Sequence, residues 1–179
     1  MSKAVLISIR PEWVKKILAG EKTLEVRKTR PKLETPFKCY IYCTSGNLSY
    51  EVSNEMMCNI SGGKLVVGEF VCDRIDTIIP APEPYGLYDV DDDFVAHTCL
   101  TNGALWDYGK GATLYGWHIS KLEIYDMPKQ INRFKPWNRE CKYNHLGLAI
   151  PKCDGCHDCT VEKPPQSWCY VEELINGQS

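Results

Sequence analysis

The sequence of 179 residues lacks three features that would assign it to a class at once. It has no apolar run of about 18 residues, so no transmembrane helix is predicted. No charged segment followed by an apolar one opens the chain, so a secretion signal is not indicated. No internal repeat is visible. We therefore expect a cytoplasmic protein whose ten cysteines are reduced thiols or metal ligands and do not form a disulfide framework.

Positive charge is also scarce overall, because the net charge is −2. Its distribution is uneven: residues 10–38 contain nine Lys or Arg against four Glu, whereas the rest of the chain contains 12 basic against 19 acidic residues. A positive segment on an acidic body favours one anionic ligand over a long DNA duplex, which we do not expect as a partner.

A strand, a helix and a second strand are predicted within the first 30 residues. Apolar residues 4–9 predict the first strand, and Pro11 suits the first helical position, where its missing N–H has no partner. Gly20 suits the left-handed end of that helix. From residue 23 the pattern alternates with period two, which places three polar side chains on one strand face. They are Thr23, Glu25 and Arg27.

Other strands are predicted at 38–43, 65–76, 114–125 and 168–172, with Cys39, Cys43, Cys72 and Cys169 as small buried residues of these strands. We expect a short helix within residues 46–63, because Val52, Met56 and Met57 have helical spacing. A further helix is expected at 94–100, capped by Asp92 or Asp93.

The opening strand and helix, followed by Gly-Glu-Lys-Thr-Leu-Glu-Val-Arg-Lys at 20–28, resemble the start of the ASCH domain, a relative of the PUA RNA-binding domain. Segments 40–45, 66–71 and 114–119 are similar to later strands of that family, and the resemblance covers about residues 3–128 and 168–172. It implies an α+β fold, a small mixed PUA-like β-barrel with flanking helices. It also implies a cleft between barrel and helix that binds RNA, a nucleotide or a modified nucleoside.

The resemblance and the charge pattern together suggest which residues line that cleft. The ammonium of Lys22 can meet a phosphate or a polarised carbonyl. Glu25 and Arg27 either pair only with each other or present an acceptor and a donor to a base edge. Segment 103–111, rich in glycine, is expected to be a loop whose aromatic residues can stack on a base. The candidate ligand-binding residues are Arg10, Lys22, Thr23, Glu25, Arg27, Trp106 and Tyr108.

The same resemblance leaves an enzyme open, because some members of the family hydrolyse N4-acetylcytidine with a Lys, a Thr and a Glu, and others resemble ribonucleases. Lys22 and Thr23 match the amidohydrolase pattern, but Glu25 stands where that pattern has a second threonine, and a carboxylate cannot be activated as a hydroxyl is. If the protein is an enzyme, the candidate catalytic residues are Lys22, Glu25 and Glu69.

Glu69 is a separate candidate, because it shares a predicted strand face with Val67 and Val71. A half-buried carboxylate needs a partner. We expect that partner to be Arg10, Lys22 or Arg27, and the alternative is a purely structural role.

A cysteine cluster is the second motif, with three cysteines at Cys-x-x-Cys spacing and a fourth before them, separated by eleven intervening residues. This pattern predicts a closed, tetrahedral structural zinc site, in which His145 or His157 could replace one cysteine. We expect one domain spanning 1–179, with 136–164 as a zinc-stapled insertion. A protein-interaction module that uses this insertion is a third functional alternative. The predicted ligands of the Zn²⁺ ion are Cys141, Cys153, Cys156 and Cys159.

Overall fold

The computed structural model describes residues 2–52, 56–82, 84–137 and 160–174. In these ranges the helices are α1 (Pro11–Leu18), α2 (Asp92–Thr98) and α3 (Asn102–Gly109), with a 3₁₀ turn at Ile131–Arg133. The strands are β1 (Lys3–Ile9), β2 (Leu24–Arg27), β3 (Phe37–Cys43), β4 (Leu48–Val52), β5 (Met56–Ile60), β6 (Leu65–Cys72), β7 (Ile75–Ile78), β8 (Leu114–His118), β9 (Ser120–Gln130) and β10 (Trp168–Glu172). The prediction of a mixed α+β fold is confirmed.

The strands form three sheets. A five-stranded sheet has the order β10-β1-β3-β6-β9, a three-stranded sheet has the order β2-β8-β7, and β4 pairs with β5. Among the strand pairs of the described ranges, β1–β3 is the only parallel one. In the described ranges no ladder joins the five-stranded sheet to the three-stranded one, so the expected closed barrel is not observed. Within the described ranges the chain crosses between these two sheets four times, from β1 to β2, from β2 to β3, from β6 to β7 and from β8 to β9.

Strand β1 is an interior strand, paired with β10 and β3 and buried on both faces, which explains its nearly continuous apolar sequence. Val5, Ile7 and Ile9 pack in the main core together with Val14 and Ile17 of α1. The alternate residues of β1 face a second cluster, made by Ala4, Leu6, Tyr40, Phe134 and Val171. Helix α1 is therefore held against β1 by the apolar stripe that its sequence predicted.

The short helix predicted within residues 46–63 is wrong, because the structure has the hairpin β4–β5 there. Its core residues alternate with polar ones in the pattern of a strand: Leu48 and Tyr50 are buried, and Ser49 between them donates to Asn59 on the partner strand at 2.6 Å. The helical spacing of Val52 and Met56 was coincidental, since these residues end β4 and begin β5.

Segment 103–111 was also predicted wrongly, because most of it belongs to helix α3. Thr101 caps this helix by accepting from the backbone N–H of Ala104 at 3.1 Å. Gly109 is required by packing, since a Cβ there would lie 1.8 Å from the Tyr88 hydroxyl.

Helix α2 is capped by Asp91, one residue before the predicted caps Asp92 and Asp93. None of the described helices is long and apolar enough to cross a membrane.

Candidate functional site

A cavity of about 1020 Å³ lies at the end of the five-stranded sheet, beside α1, β2 and α3. Its floor contains the buried polar residues Lys22, Glu25 and Arg27, and its mouth includes Arg10 and Tyr108. Five of the seven predicted ligand-binding residues therefore line one concave surface. The rest of the lining comes from Trp13, Val26, Leu100 and Ala104, from the ends of β1, β3 and β9 with the residues that follow them, from Lys64 before β6, and from the segment before β10.

Lys22 is only 3% exposed although it is a lysine. Its Nζ atom lies 2.7 Å from the carbonyl oxygens of Leu24 and Thr98 and 3.5 Å from Oε2 of Glu25. Burial lowers the pKa of Lys22, and the Glu25 carboxylate partly opposes this shift. Because an ammonium has three protons, these three acceptors account for all its donors, and Lys22 acts here by fixing Glu25.

Glu25 lies between two cations on strand β2. Its Oε1 atom is 3.0 Å from Nη2 of Arg27, and Oε2 faces Lys22. Residues 25 and 27 share a face because side chains alternate along a strand, as the sequence predicted. A carboxylate can accept about four hydrogen bonds, so Glu25 keeps acceptor capacity beyond its two cationic partners.

Arg27 has unused donors. Its Nη2 atom donates to the carbonyl oxygen of Ser8 at 2.7 Å, and Nη1 lies 3.4 Å from Oγ of Ser167. The Nε–H group is buried and has no hydrogen-bond partner among the described residues. Such orphaned buried donors are rare and costly in folded proteins, and they call for an explanation by a bound group or a function.

Aromatic side chains lie at two places around the cavity. Tyr108 is 39% exposed, and Nζ of Lys28 lies 4.9 Å from its ring centre. Partial burial raises the pKa of Tyr108, so the phenol is neutral near pH 7. Trp13 also lines the cavity and lies beside Lys22, whose Nζ atom is 5.4 Å from the indole ring.

Two predicted ligand-binding residues do not line the cavity. The backbone N–H of Thr23 donates to the carbonyl oxygen of His97, and Thr23 is not part of the lining. Trp106 packs at 5.8 Å from the Tyr88 ring in the small core of α2 and α3. Both residues therefore lie close to the site without facing it.

Glu69 does not pair with Arg10, Lys22 or Arg27, so that prediction is wrong. Its Oε1 atom lies 2.6 Å from Nζ of Lys38, and Tyr125 donates to its other oxygen. The reason is register: Tyr40 lies opposite Glu69 in the β3–β6 ladder, which puts Lys38 on the same face. Glu69 is not part of the cavity lining.

Three crystal structures of an ASCH protein from Zymomonas mobilis are similar to this structure. The first has a TM-score of 0.54 at 15% identity and covers 95% of this chain and 88% of that chain. A tyrosine-to-phenylalanine variant has a TM-score of 0.52 at 15% identity, with coverage of 96% and 92%. A serine-to-alanine variant has 0.51 at 15%, with 95% and 89%. The chain has the fold of an ASCH domain. No protein-family model and no curated protein matches the sequence.

Within this ASCH fold, sequence reasoning missed several lining residues. Ser167 contacts Arg27 because β10 pairs with β1, and a pairing across such a sequence separation leaves no local pattern. Lys64 could have been suspected from the sequence, because it follows two glycines that predict a tight turn directly before a predicted strand. Lining residues that were not predicted include Ser8, Tyr42, Thr44, Ser45, Lys64, Gln130, Glu162 and Gln166.

The zinc ligands predicted from the cysteine spacing lie outside the described residues, as do His145 and His157. Within the described ranges no group of three His, Cys, Asp or Glu side chains could hold a metal ion. Cys39, Cys43 and Cys72 are buried in strands as predicted, and Cys169 is half-buried. Burial raises the pKa of Cys43 to about 11 and that of Cys72 to about 12, as expected for unreactive structural thiols. The zinc site at Cys141, Cys153, Cys156 and Cys159 stays a prediction.

Proposed function

We propose that this protein binds a nucleoside unit, carried by RNA or by a free nucleotide, in the cavity floored by Lys22, Glu25 and Arg27. The observation that carries the proposal is the Glu25–Arg27 pair, which is buried yet lines a cavity open to solvent. Buried ion pairs contribute little to stability on balance. A role in ligand recognition explains why a buried ion pair is present at the floor of this cavity.

The chemistry of the pair fits a base edge. Glu25 offers an acceptor, and Arg27, which lines the same cavity, carries N–H donors beside it. The Watson–Crick edges of bases carry donors and acceptors side by side, and proteins that recognise unpaired bases hydrogen-bond to these edges. Lys22 supports this role because its contact with Oε2 keeps the carboxylate in place.

The surroundings fit a single unit better than a duplex. Tyr108 at the mouth presents a partly exposed ring, and stacking on aromatic rings is the common way to hold an unpaired base. The cavity is concave and its volume of about 1020 Å³ is in the range of small-molecule sites. A long duplex would need an extended positive track, which the net charge of −2 does not favour.

The test compares two glutamates that each pair with a lysine. Wild type, Glu25→Gln and Glu69→Gln are titrated with a labelled single-stranded RNA of about six nucleotides and with the four ribonucleosides. Glu25→Gln is expected to weaken binding at least about tenfold, the effect of losing one hydrogen bond to a charged group. Glu69→Gln is expected to bind as wild type. Thermal unfolding of both variants controls for folding, and equal affinity of Glu25→Gln and wild type would contradict the proposal.

A second candidate function is hydrolysis, favoured by the lowered pKa of Lys22 beside a carboxylate in a cavity. Lys22 and Glu25 are the catalytic candidates in this alternative, and Glu69 is removed from them by its pairing with Lys38. Incubation of the protein with N4-acetylcytidine, and separately with single-stranded RNA, tests it. Turnover of either that Glu25→Gln abolishes would establish an enzyme.

We further propose that Cys141, Cys153, Cys156 and Cys159 bind one structural Zn²⁺ ion within the insertion at 136–164 of a single domain. The spacing of four cysteines supports this assignment. Reduced, metal-binding cysteines are consistent with a cytoplasmic location, which we also propose.

A further inference from the structure

Four strands of the five-stranded sheet end at the cavity in register. Across β1, β3, β6 and β9, Ile9 lies opposite Cys43, Cys43 opposite Leu65, and Leu65 opposite Gln130. The residues directly beyond this row therefore form one edge of the cavity. They are Arg10, Thr44, Ser45 and Lys64, with Gln130 itself, and all line it.

A tight turn sets the position of Lys64 on this edge. Gly62 and Gly63 have φ angles of 79° and 63°, and a Cβ on Gly63 would lie 1.9 Å from the carbonyl oxygen of Thr44. The turn can therefore approach residues 44–46 only because position 63 is glycine. The backbone N–H of Lys64 then donates to the carbonyl oxygen of Cys43 at 2.8 Å, which holds Lys64 beside Thr44.

Lys64 itself has a φ of 69°, a conformation that residues with a side chain rarely adopt. Strained residues of this kind persist where the surrounding structure fixes them, and they concentrate at binding sites. Lys64 is exposed, and no carboxylate in the described ranges forms an ion pair with it.

Arg10 supplies a second cation on the same edge. Its side chain is 77% exposed, and its one ion pair in the described ranges is a 3.9 Å contact with Glu12, which is also exposed. Such a pair is weak in water, so the guanidinium is available to a ligand. Arg10 and Lys64 flank the hydroxyl-bearing residues Thr44 and Ser45. This combination of two cations and hydroxyl donors matches the oxygens of a phosphate group.

The cavity edge with Arg10 and Lys64 lies close enough to the Glu25–Arg27 pair for one ligand to span both. Arg27 donates to the carbonyl oxygen of Ser8 on β1. Lys64 directly precedes β6, which is two strands away from β1 in the sheet. Neighbouring strands are about 4.8 Å apart, so the two positions are separated by roughly 10 Å across the sheet. One ligand can therefore reach both, with a base at Glu25 and Arg27 and a phosphate at the sheet edge.

We propose that Arg10 and Lys64, together with Thr44 and Ser45, form a phosphate-binding subsite, so that the cavity recognises phosphorylated nucleosides. The proposal rests on the function proposed above and specifies its ligand class. The phosphate belongs either to a free nucleotide or to the backbone of RNA, and both present the same anionic oxygens.

The test exploits a matched pair of lysines. Lys121 is also exposed and also has a positive φ, of 46°, but it lies next to Ser120, which pairs with Val71 far from the cavity end of β6. Lys64→Gln, Arg10→Gln and Lys121→Gln are titrated with the four ribonucleosides, their 5′-monophosphates, and a short single-stranded RNA that lacks terminal phosphates. Calorimetry at several salt concentrations supplies affinities and salt slopes.

Lys64→Gln and Arg10→Gln are expected to lose about tenfold in affinity for the phosphorylated probes and nothing for the nucleosides. For RNA, the slope of log affinity against log salt is expected to fall by about 0.7 in each variant, the value for one phosphate contact on a single strand. Lys121→Gln is expected to behave as wild type. Loss with the monophosphates alone identifies a free nucleotide, and loss with the RNA identifies a backbone phosphate.

Equal binding of nucleosides and phosphorylated probes, unchanged in Lys64→Gln and Arg10→Gln, would overturn the phosphate subsite. It would leave the proposed function intact provided that Glu25→Gln still weakened binding. Failure of wild type to bind any probe would instead overturn the proposed function, and the subsite with it.

Discussion

Oε1 of Glu25 lies 3.0 Å from Nη2 of Arg27, and the two residues are only 6% and 8% exposed. They sit two positions apart on β2, so the alternation of the strand directs both to the same cavity floor. Removing two charges from water is costly, and their attraction seldom outweighs that cost. The ligand recognition that we propose accounts for their burial beside an open cavity, which stability alone does not explain.

The first prediction concerns pH and Lys22. Burial lowers the pKa of Lys22 below the ordinary 10.5 in the folded protein, with Glu25 and Cys99 opposing the shift and Arg27 adding to it. Just below pH 10.5 the unfolded chain therefore binds more protons at this residue than the folded one, and the free energy of unfolding rises with pH. We expect the urea midpoint of wild type, relative to Lys22→Met, to increase as the pH approaches 10.5.

Lys38→Met is the control for that measurement. The pKa of Lys38 is raised, because the Glu69 carboxylate outweighs the effect of burial. Its stabilising contribution is therefore constant below pH 10.5 and lost only above it. The difference between wild type and Lys38→Met should stay flat over the same range. A flat or falling difference for Lys22→Met would contradict the assignment of a buried, charged lysine.

The second prediction concerns stacking at the mouth of the cavity. Tyr108→Ala removes a partly exposed ring from the lining, and stacking of a base on an aromatic ring is worth about 1–3 kcal/mol. We expect the affinity for single-stranded RNA to fall about tenfold or more. Tyr85→Ala, which removes a ring that is 71% exposed and outside the lining, should leave the affinity unchanged. Equal losses in the two variants would argue against stacking at Tyr108.

The third prediction concerns the turn before β6. Gly62→Ala should cost only the left-handed backbone, about 1–2 kcal/mol, because nothing lies within 4 Å of the added Cβ. Gly63→Ala adds a clash with the Thr44 carbonyl oxygen, and overpacking of this kind costs about 1–3 kcal/mol more. Chemical denaturation of both variants measures the difference. If Gly63→Ala is no less stable than Gly62→Ala, the close approach of the turn to Thr44 is wrong.

The fourth prediction concerns the cysteine cluster. Freshly purified, unchelated protein should contain about one zinc ion per chain by elemental analysis. Replacing Cys153 and Cys156 together with serine should remove the metal. Cys169→Ala, which alters a half-buried thiol of β10, should retain it. A zinc content far below one in wild type would rule out the four-cysteine site.

The local part of the fold could be predicted from the sequence. Strand β1, helix α1 and strand β2 follow from periodicity, from Pro11 at the helix start and from Gly20, whose φ of 74° matches the predicted left-handed end. The shared face of Glu25 and Arg27 follows from the same alternation. These features depend on neighbours within a few residues, where sequence patterns are informative.

The non-local part could not be predicted. Glycines at 103, 109 and 111 suggested a loop. Position 109 instead lies in helix α3, and it is glycine because the side chain of Tyr88 packs against it. The partner of Glu69 depends on the register of β3 against β6. The side of the cavity formed by Ser167 depends on the pairing of β10 with β1. Lys22 was expected to meet the ligand, whereas in the structure its ammonium faces Leu24, Thr98 and Glu25.

The Nε–H resonance of Arg27 offers the most direct test of recognition at the cavity floor. This donor is buried without a partner among the described residues, whereas Nε of Arg74 already lies 3.1 Å from both Asp76 and His118. In ¹⁵N–¹H spectra recorded during titration with ribonucleoside 5′-monophosphates, the Arg27 signal, assigned through Arg27→Lys, should shift while the Arg74 signal stays in place. A ligand that binds at the same concentrations and leaves the Arg27 signal unmoved would contradict the account.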